Sequence, residues 1–348
     1  MDTRAATEQW LVRALSASRV EVVGDIDRPA SGFSAETVIF DALVDGAPRR
    51  LVLRKECPGP AVYPTQAPGL DIEVAIQYRA MQAVAAASDV PLAPLVGYEP
   101  DPSVLGAPFY VMGFIAGQVP VENPPYLSTG FFVDATPEQR RRMVDDGLRV
   151  LARINAVDWR AAGLDCLVPA GDAPSTARQL DLWTDFANRE LRGRHHPALE
   201  EAVEWLDANQ PDERPPSLCW GDARLGNIIW DDFRCACVTD WEAVSIAPSE
   251  VDLGWWLMFD RWSHEMAGGA RLAGEPTPAE QRARYGELTG RDVGDTFFYE
   301  VFAAMRYAAI VVRVMNRGVD RNELPPDQTI WLDNPVTTCL AGYLAERR

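Results

Sequence analysis

Three polar residues in the middle of the chain have side chains that could act together on one substrate. Four residues separate Asp222 from Asn227, and Asp240 follows Asn227 by thirteen positions. An aspartate can accept or orient the proton of an acceptor hydroxyl, while amide and carboxylate oxygens are ligands for Mg²⁺ on nucleotide phosphates. This order and spacing therefore predict that the three side chains meet at a nucleotide phosphate.

The residues between Asn227 and Asp240 indicate how these side chains come together. Residues 228–230 and 235–238 are short apolar runs typical of strands, and residues 231–234 are typical of a turn. A hairpin returns the chain to the end at which it started. We therefore expect Asp240 to lie beside Asn227.

The sequence around these residues is similar to a known superfamily of kinases. Residues 220–227 (Trp-Gly-Asp-Ala-Arg-Leu-Gly-Asn) and 239–242 (Thr-Asp-Trp-Glu) resemble the aminoglycoside phosphotransferase and choline kinase superfamily. The similarity is closest to an actinobacterial branch known only as "phosphotransferase family", and it extends over about residues 32–256. It implies transfer of the γ-phosphoryl group of a nucleoside triphosphate, expected to be ATP, to an acceptor hydroxyl, with Mg²⁺ required.

The resemblance assigns roles to individual residues of the loop. Asp222 falls at the position of the catalytic base, and Asn227 and Asp240 fall at those of the magnesium ligands. Arg224 stands where a basic residue contacts the transferred phosphate. The superfamily usually has a histidine where Trp220 stands. Since that histidine is mostly structural, the change concerns the packing of the loop more than its chemistry.

Two further positions are implied as support for the loop. Asp252 matches an aspartate that braces the catalytic loop from below, so we expect it to be buried. Asn155 stands where relatives often end a helix with a histidine. Asp252 is not expected to take part in the chemistry.

The loop that covers the nucleotide in the superfamily falls on residues 30–36. This segment lies between two predicted strands and contains Gly32 and Ser34, the residues that we assign to the phosphates. Gly32 is its only glycine. The assignment therefore follows from position and not from a glycine pattern.

The segment that links the two lobes in the superfamily falls on residues 109–117, an apolar strand that runs into a glycine. In such proteins its backbone receives the adenine. Gly113 and Ile115 would offer a carbonyl and an amide, and Met112 would flank the base. A buried strand leaving a sheet would have the same pattern.

A cation for the nucleotide phosphates is expected on the strand at residues 51–55. Arg54 and Lys55 end this strand, and alternation along it sends them to opposite faces, so only one can point into the cleft. The register of the superfamily favours Arg54. Kinase-like folds usually place a glutamate on the following helix to pair with this cation. That position falls on Gln77 here, with Glu73 one turn earlier on the same face, and either residue could reach Arg54.

Three threonines are predicted to begin helices. Thr7 would be the N-cap of a helix over residues 7–18. Thr136 and Thr277 each precede a proline and have Gln or Glu three residues later, which is the capping-box pattern. These helices are expected to end near residues 157 and 288.

The distribution of these elements predicts an α+β fold of the protein-kinase-like, two-lobe kind. With 348 residues the chain is long for one core. We expect a small N-lobe with an antiparallel sheet in residues 1–115. A larger, mostly helical C-lobe would follow in residues 116–348 and would hold the catalytic loop, the metal site and the acceptor-binding helices.

The charge of the chain excludes some partners. Thirty-three Lys and Arg against 51 Asp and Glu give a net charge of −18. This balance argues against nucleic acid and against an anionic membrane as partner. For the small-molecule acceptor that the resemblance implies, it would favour a cationic one, although solubility is the preferred explanation of the charge. The oligomeric state is left open.

Composition also bears on the compartment. The six cysteines have no spacing typical of a disulfide framework, and the first fifteen residues have no signal-peptide pattern. The most apolar later run, residues 297–315, is interrupted by Glu300, Arg306 and Arg313, so it predicts a buried helix and not a membrane span. We expect a cytoplasmic protein.

Two other classes of function are alternatives to the kinase. A nucleotide-binding module without turnover would keep the same motif, since a motif alone does not prove activity. A metallohydrolase built on the aspartates is disfavoured, because the chain has three histidines and no H-x-x-x-H or G-x-S-x-G pattern.

The acceptor has more than one candidate. The name of the superfamily and the acidic helices around residues 181–204 favour an aminoglycoside. Some relatives are fused to acyl-CoA dehydrogenases, which favours a hydroxyacyl or other apolar hydroxyl substrate. Trp255, Trp256 and Trp262 could wall an apolar pocket, although core packing is the default for such residues.

Overall fold

The chain forms two halves that differ in secondary structure. A computed structural model describes residues 3–27, 35–59, 61–122 and 124–347. The N-terminal half contains an antiparallel sheet of five strands in the order β1-β2-β3-β5-β4. These strands are, in chain order, β1 (Val20–Asp27), β2 (Ala35–Val44), β3 (Ala47–Glu56), β4 (Leu95–Glu99) and β5 (Phe109–Gly113).

Two helices cover opposite faces of this sheet. Residues alternate between the faces along a strand, so Phe109 of β5 packs against Trp10 of the first helix, α1 (Thr3–Ala14). Tyr110 points to the other face, where it contacts the second helix, α2 (Glu73–Ala87). The sheet is thereby buried on both sides.

The predicted start of α1 was wrong. The helix begins at Thr3, so Thr7 lies inside it and is not its N-cap. The Thr7 hydroxyl donates to the carbonyl oxygen of Thr3 at 2.8 Å, the bond that a threonine makes with the preceding helical turn. The sequence alone does not distinguish such a threonine, inside a helix, from an N-cap residue.

The C-terminal half is mostly helical. Its helices are α3 (Phe131–Asp134), α4 (Pro137–Asn155), α5 (Thr176–Leu191), α6 (Pro197–Ala208), α7 (Glu250–Met266), α8 (Pro278–Thr289), α9 (Phe297–Asp320) and α10 (Pro335–Ala345). Two antiparallel strand pairs lie among them, and they are formed by β6 (Pro216–Cys219) with β9 (Ser245–Pro248) and by β7 (Ile228–Asp231) with β8 (Arg234–Val238). The prediction of an α+β fold with a sheet-rich half and a helical half is confirmed.

Both predicted capping boxes are confirmed. The Thr136 hydroxyl accepts a hydrogen bond from the backbone amide of Gln139, and the Gln139 side chain accepts one from the backbone amide of Thr136. Thr277 and Glu280 make the same exchange at the start of α8. Each pair satisfies two amides that a helix start leaves free.

The predicted hairpin after the loop is also confirmed. Ile228 pairs with Val238 at one end, and two residues, Asp232 and Phe233, turn the chain at the other. Both have positive φ, at 44° and 58°, as a two-residue turn of type I′ requires. The chain therefore returns to the level of Asn227 before it reaches Asp240.

Helix α9 crosses the helical half and is buried along most of its length. Its apolar face packs against α5, α6, α7 and α10, while Arg306, Arg313 and Arg317 are buried within it. Of the helices in the described ranges, none is long and apolar enough to cross a membrane.

Candidate functional site

The loop with Asp222 leaves β6 through a tight turn that only glycine allows. Gly221 has a φ of +92°, in the left-handed region, and a Cβ atom at this position would overlap the carbonyl group of Ala243. After the turn the chain forms one turn of 3₁₀ helix, Leu225–Asn227, and enters β7. Asp222 and Asn227 are thus held on one short, buried loop.

The carboxylate of Asp222 is buried and held at both oxygens. Oδ1 accepts hydrogen bonds from Trp255 Nε1 at 2.8 Å and Arg224 Nε at 3.1 Å, and Oδ2 accepts one from the Tyr63 hydroxyl at 3.2 Å. Burial raises the pKa of Asp222, the negative charge of Asp240 adds to the effect, and the result is a value of about 6. A fixed carboxylate with raised basicity is suited to accept a proton.

The loop rests on Asp252, as the sequence predicted. This buried carboxylate on α7 accepts hydrogen bonds from the backbone amides of Trp220, at 2.7 Å, and Gly221, at 2.8 Å. Asn155, at the position where relatives often have histidine, donates to Asp252 Oδ2 at 3.0 Å and accepts from the Tyr285 hydroxyl at 2.7 Å. A chain of satisfied buried polar groups thereby fixes the loop from below.

Trp220 takes over packing at the position where the superfamily usually has histidine. Its indole donates to the carbonyl oxygen of Thr239 at 2.8 Å, and its ring lies 6.3 Å from that of Trp241. Trp220 therefore joins the loop to the segment that carries Asp240.

Asn227 and Asp240 are brought together by the hairpin. The Asn227 side-chain amide donates a hydrogen bond to the carbonyl oxygen of Asp222 at 3.0 Å. The amide and hydroxyl of Thr239 both bond to the Asn227 carbonyl oxygen, at 2.9 and 2.8 Å. Asp240 has a positive φ of 53°, a conformation uncommon outside glycine, and it places the carboxylate beside Arg54.

The donor set suits Mg²⁺. One amide oxygen and one carboxylate are hard ligands, and Mg²⁺ usually binds one or two carboxylates, with water and phosphate oxygens completing its shell. The neighbouring carboxylates of Asp222 and Asp240 leave negative charge that a cation would neutralise. Among the residues that the structure describes, no group of three or more His, Cys, Asp or Glu side chains is arranged to hold a metal.

Arg54 and Lys55 point to different partners. Arg54 Nη2 lies 3.6 Å from Asp240 Oδ1, and its Nη1 donates to the Thr37 hydroxyl at 3.2 Å. Lys55 instead pairs with Glu36 at 2.7 Å. Arg54 is therefore the strand cation that reaches the site.

The expected partner of Arg54 on α2 does not contact it. Gln77 accepts a hydrogen bond from the Tyr110 hydroxyl at 2.9 Å, and Glu73 accepts one from the amide of Val62 at 3.2 Å. Within the described part of the chain, neither side chain bonds to Arg54. Both helix positions are committed to nearby groups, which leaves Arg54 to Asp240.

Arg224 is held among acidic and aromatic groups. It forms ion pairs with Asp222 and with Glu122, and its guanidinium lies 5.1 Å from the centre of the Phe259 ring. Glu122 belongs to the segment that follows the link between the two halves. Arg224 thus lies beside the buried carboxylate, where it can meet negative charge on a substrate.

The segment expected to link the two halves begins at the end of β5. Met112 and Gly113 end β5, and the amide of Gly113 donates to the carbonyl oxygen of Pro94 at 2.8 Å. Ile115 follows outside the strands and helices. Gly32 and Ser34, the residues assigned to the phosphates, lie outside the described residues.

Two of the three tryptophans considered for an acceptor pocket belong to the core. Trp255 and Trp256 are 1% and 3% exposed, and their indole nitrogens are bonded to Asp222 and Gln281. Trp262 is partly exposed and packs with Phe259. The default expectation of core packing holds for the first two residues.

Arg306 is a part of the site that the sequence did not assign. It lies between the rings of Trp183 and Trp255, with its guanidinium carbon 4.7 and 4.5 Å from their centres, and donates to the carbonyl oxygen of Gly221 at 3.1 Å. Burial lowers the pKa of Arg306. The available signal was a charged residue inside an otherwise apolar helix.

The fold and the site together define a class of protein. A sheet-rich half, a helical half and a loop that presents Asp222 and Asn227 are the parts of a kinase-like phosphotransferase. The model of a family described as "Phosphotransferase enzyme family" matches residues 25–288. The chain therefore belongs to this family, and the resemblance to the aminoglycoside phosphotransferase superfamily is confirmed.

The curated relatives that this chain matches are much longer proteins. "Acyl-CoA dehydrogenase family member 10" of Mus musculus is 29% identical over 283 residues, which cover 78% of this chain and 25% of that protein. "Probable acyl-CoA dehydrogenase IBR3" of Arabidopsis thaliana is 24% identical over 339 residues, which cover 90% of this chain and 39% of that protein. The chain thus spans between a quarter and two fifths of the length of these relatives.

Solved structures share the fold over nearly the whole chain. A protein of Ralstonia eutropha JMP134, provisionally named an aminoglycoside phosphotransferase, superposes with a TM-score of 0.72 at 25% identity and covers 99% of this chain and 98% of its own. A thermostable mutant of aminoglycoside phosphotransferase APH(4)-Ia, in a ternary complex with ADP and hygromycin B, gives a TM-score of 0.58 at 15% identity, with 98% of each chain covered.

Proposed function

We propose that this protein is a kinase that transfers the γ-phosphoryl group of ATP, with Mg²⁺, to a hydroxyl group of a small-molecule acceptor. The observation that carries the proposal is the convergence of a buried carboxylate of raised basicity, Asp222, with two oxygen ligands, Asn227 and Asp240. Membership of the phosphotransferase family and the ADP complex of a structural neighbour support a nucleotide as the donor.

Each residue of the cleft has a distinct task in this proposal. Asp222 accepts the proton of the acceptor hydroxyl as that oxygen attacks the γ-phosphorus and ADP leaves. Arg224 and Arg54 neutralise negative charge on the phosphates, in a step that depends on positioning and electrostatics. Asn227 and Asp240 would hold Mg²⁺, which supplies charge neutralisation on the phosphate oxygens when it is bound.

The nucleotide base is assigned to the linking segment. The Gly113 carbonyl and the Ile115 amide would bond to the adenine, and Met112 would flank it. The support is the position of these residues at the end of β5, just before the chain pairs with the C-terminal half at Gln118. The phosphate roles of Gly32 and Ser34 rest on the resemblance alone.

The boundary between an N-lobe of residues 1–115 and a C-lobe of residues 116–348 is part of the same proposal. The amide of Phe114 still bonds to the carbonyl oxygen of Arg50 in the N-terminal sheet, at 3.0 Å. Four residues later, Gln118 pairs with Trp230 of the C-terminal half. The change of partner between these positions supports a boundary near residue 115.

The acceptor is proposed by class only. An aromatic group beside Arg224, formed by buried Phe259 with partly exposed Trp262 and Tyr307, supports an acceptor with an apolar part. The similarity to acyl-CoA dehydrogenase family members adds a hydroxyacyl compound as a candidate. The fold shared with a hygromycin B complex keeps an aminoglycoside as the other.

A panel of acceptors tests this proposal. The full chain is incubated with Mg·ATP and with amino sugars, amino alcohols, hydroxy acids or hydroxyacyl thioesters, and ADP and phosphorylated product are measured by mass spectrometry. We expect one class to give a phosphorylated product that Asp222→Asn does not form. ATP binding without product in any class would favour a nucleotide-binding module without turnover.

A further inference from the structure

The phenol of Tyr63 reaches Asp222 from the opposite half of the chain. Its hydroxyl donates to Asp222 Oδ2 at 3.2 Å, across a sequence separation of 159 residues. The other carboxylate oxygen, Oδ1, is taken by Trp255 and Arg224. Tyr63 therefore meets the oxygen that these two C-terminal residues leave open, and a hydroxyl group already lies on it.

The backbone around Tyr63 is anchored on both sides. The preceding residue, Val62, donates its amide to Glu73 Oε1 at 3.2 Å, which ties the segment to α2. Three residues after Tyr63, the buried Gln66 side chain accepts from Gln179 Nε2 of α5 at 2.8 Å. These bonds fix where the tyrosine Cα lies and do not depend on the direction of the phenol.

The phenol ring packs against the core, and its hydroxyl is held by a hydrogen bond to Asp222. Across the described ranges its hydroxyl has one hydrogen-bond partner, Asp222, and its ring contacts Trp183 edge-on at 6.4 Å. A rotation about χ1 would remove the hydroxyl from Asp222 while both backbone anchors stay in place. An acceptor that displaces the phenol must therefore replace this one hydrogen bond and the ring contact with Trp183.

The environment keeps the phenol protonated. Burial raises the pKa of Tyr63, and the negative charge of Asp222 raises it further. A protonated phenol beside an ionised carboxylate donates its proton to the hydrogen bond. The Tyr63 hydroxyl thus presents to Asp222 the same group that an alcohol acceptor would present.

We propose that Tyr63 determines acceptor specificity by occupying, with its own hydroxyl, the position that the acceptor hydroxyl takes on Asp222 Oδ2. This inference rests on the proposed phosphotransferase function. A kinase site must keep water, the competing nucleophile, away from the base until the acceptor is bound. Tyr63 fills that position in the free enzyme, and an acceptor that binds well enough displaces it.

The test removes one hydroxyl group and uses water as the acceptor. ADP formation from Mg·ATP is measured without any added acceptor for the wild type and for Tyr63→Phe. We expect hydrolysis to rise about 10-fold in Tyr63→Phe, with the KM for ATP unchanged, because water gains the position of the phenol oxygen. Adding Asp222→Asn to Tyr63→Phe should remove the gain.

A matched control separates this effect from a general loss of packing. Tyr78→Phe removes a hydroxyl from α2, where the Tyr78 ring stacks on Tyr98 at 5.7 Å, and should leave hydrolysis at the wild-type rate. Hydrolysis in Tyr63→Phe that is unchanged or lower than in the wild type would overturn the proposal. A lower rate would make Tyr63 a positioning donor for Asp222 instead.

Two further measurements separate a failure of this proposal from a failure of the proposed phosphotransferase function. Intact mass after incubation with Mg·ATP should show no phosphate on wild-type Tyr63; a phosphorylated Tyr63 would overturn the proposal, since the phenol would itself be an acceptor. If calorimetry shows that both proteins bind ATP but hydrolysis in Tyr63→Phe is unchanged, the role of Tyr63 is overturned and the proposed function is not. Absence of ATP binding in both proteins would overturn the proposed function as well.

Discussion

Trp255 Nε1 donates a hydrogen bond of 2.8 Å to Asp222 Oδ1, which ties the buried carboxylate of the loop to helix α7. The indole is 1% exposed, and it also packs against the guanidinium of Arg306. One tryptophan therefore orients Asp222 and contacts the cation that bonds to the carbonyl oxygen of Gly221.

The first prediction concerns this hydrogen bond. Trp255→Phe keeps an aromatic ring but removes the donor, so Asp222 loses one of the bonds that orient it. We expect kcat for ADP formation to fall about 10-fold, the effect of one hydrogen bond to a charged group. Steady-state kinetics with Mg·ATP measure the change.

Trp256 offers a matched control for that substitution. Its indole donates to Gln281 at 2.7 Å and has no bond to Asp222. Trp256→Phe should lower the melting temperature and leave kcat nearly unchanged. An equal loss of kcat in both variants would mean that the two tryptophans act through stability alone.

The second prediction concerns the stability cost of the Asp222 carboxylate. A folded-state pKa of about 6, above the ordinary value, means that the native protein holds the proton more tightly than the unfolded chain does. The ionised carboxylate therefore destabilises the fold above that pKa. Asp222→Asn should raise the free energy of unfolding at pH 8 by on the order of 1–3 kcal/mol.

The gain should depend on pH. As pH falls from about 6 toward 4, wild-type Asp222 takes up its proton in the folded state and the advantage of Asp222→Asn should shrink. Chemical denaturation at several pH values, without nucleotide or Mg²⁺, measures it. An advantage that grows toward acidic pH would contradict the stated origin of the pKa shift.

The third prediction concerns His264. Burial opposes a charge on this ring, but hydrogen bonds with Glu275, at 3.2 Å, and with the carbonyl oxygen of Asp260, at 2.6 Å, outweigh it and raise the pKa of His264. The stabilisation is fully present below the ordinary pKa near 6.5 and is lost as pH rises through the folded-state pKa. His264→Gln should cost about 1–2 kcal/mol more at pH 6 than at pH 9.

A second histidine serves as the comparison. The His195 side chain is 89% exposed and pairs with Glu200 at the surface, where ion pairs contribute little. His195→Gln should change the free energy of unfolding only slightly at either pH. The same pH-dependent loss in both variants would remove the buried network from the explanation.

The fourth prediction separates the roles of two neighbours on the loop. Arg224 is proposed to meet the transferred phosphoryl group, which only ATP carries, whereas Asp222 is proposed to act on the acceptor. Arg224→Ala should therefore weaken ATP binding more than ADP binding, and Asp222→Asn should leave the ratio of the two affinities near the wild-type value. Calorimetry gives both constants, and an equal ratio in the two variants would leave the phosphate to Arg54.

The sequence predicted the parts of the site that are contiguous in the chain. Asp222, Asn227 and Asp240 lie within nineteen residues, so their spacing and the hairpin were enough to place them together. Alternation along the strand predicted only that one of two adjacent cations faces the cleft, and the register of the superfamily favoured Arg54, which lies beside Asp240.

The parts that the sequence did not predict come from distant segments. Tyr63 lies in a proline-rich loop and Arg306 in an apolar helix, and only tertiary packing brings Tyr63 to Asp222 and Arg306 to Gly221. Local patterns carry no information on such contacts. The contact expected between Arg54 and Gln77 failed for the same reason, since Tyr110 lies closer to the Gln77 amide and bonds to it.

The measurement that tests the central claim most directly is the Mg²⁺-dependent rate of ADP formation from ATP by the wild type and by Asp222→Asn, with calorimetry as a check of nucleotide affinity. We predict that the wild-type rate requires Mg²⁺ and that Asp222→Asn lowers kcat by about 10²- to 10⁴-fold, the range for a positioned acid–base group, while ATP affinity stays the same. Equal rates in the two proteins would contradict the assignment of Asp222 as the base.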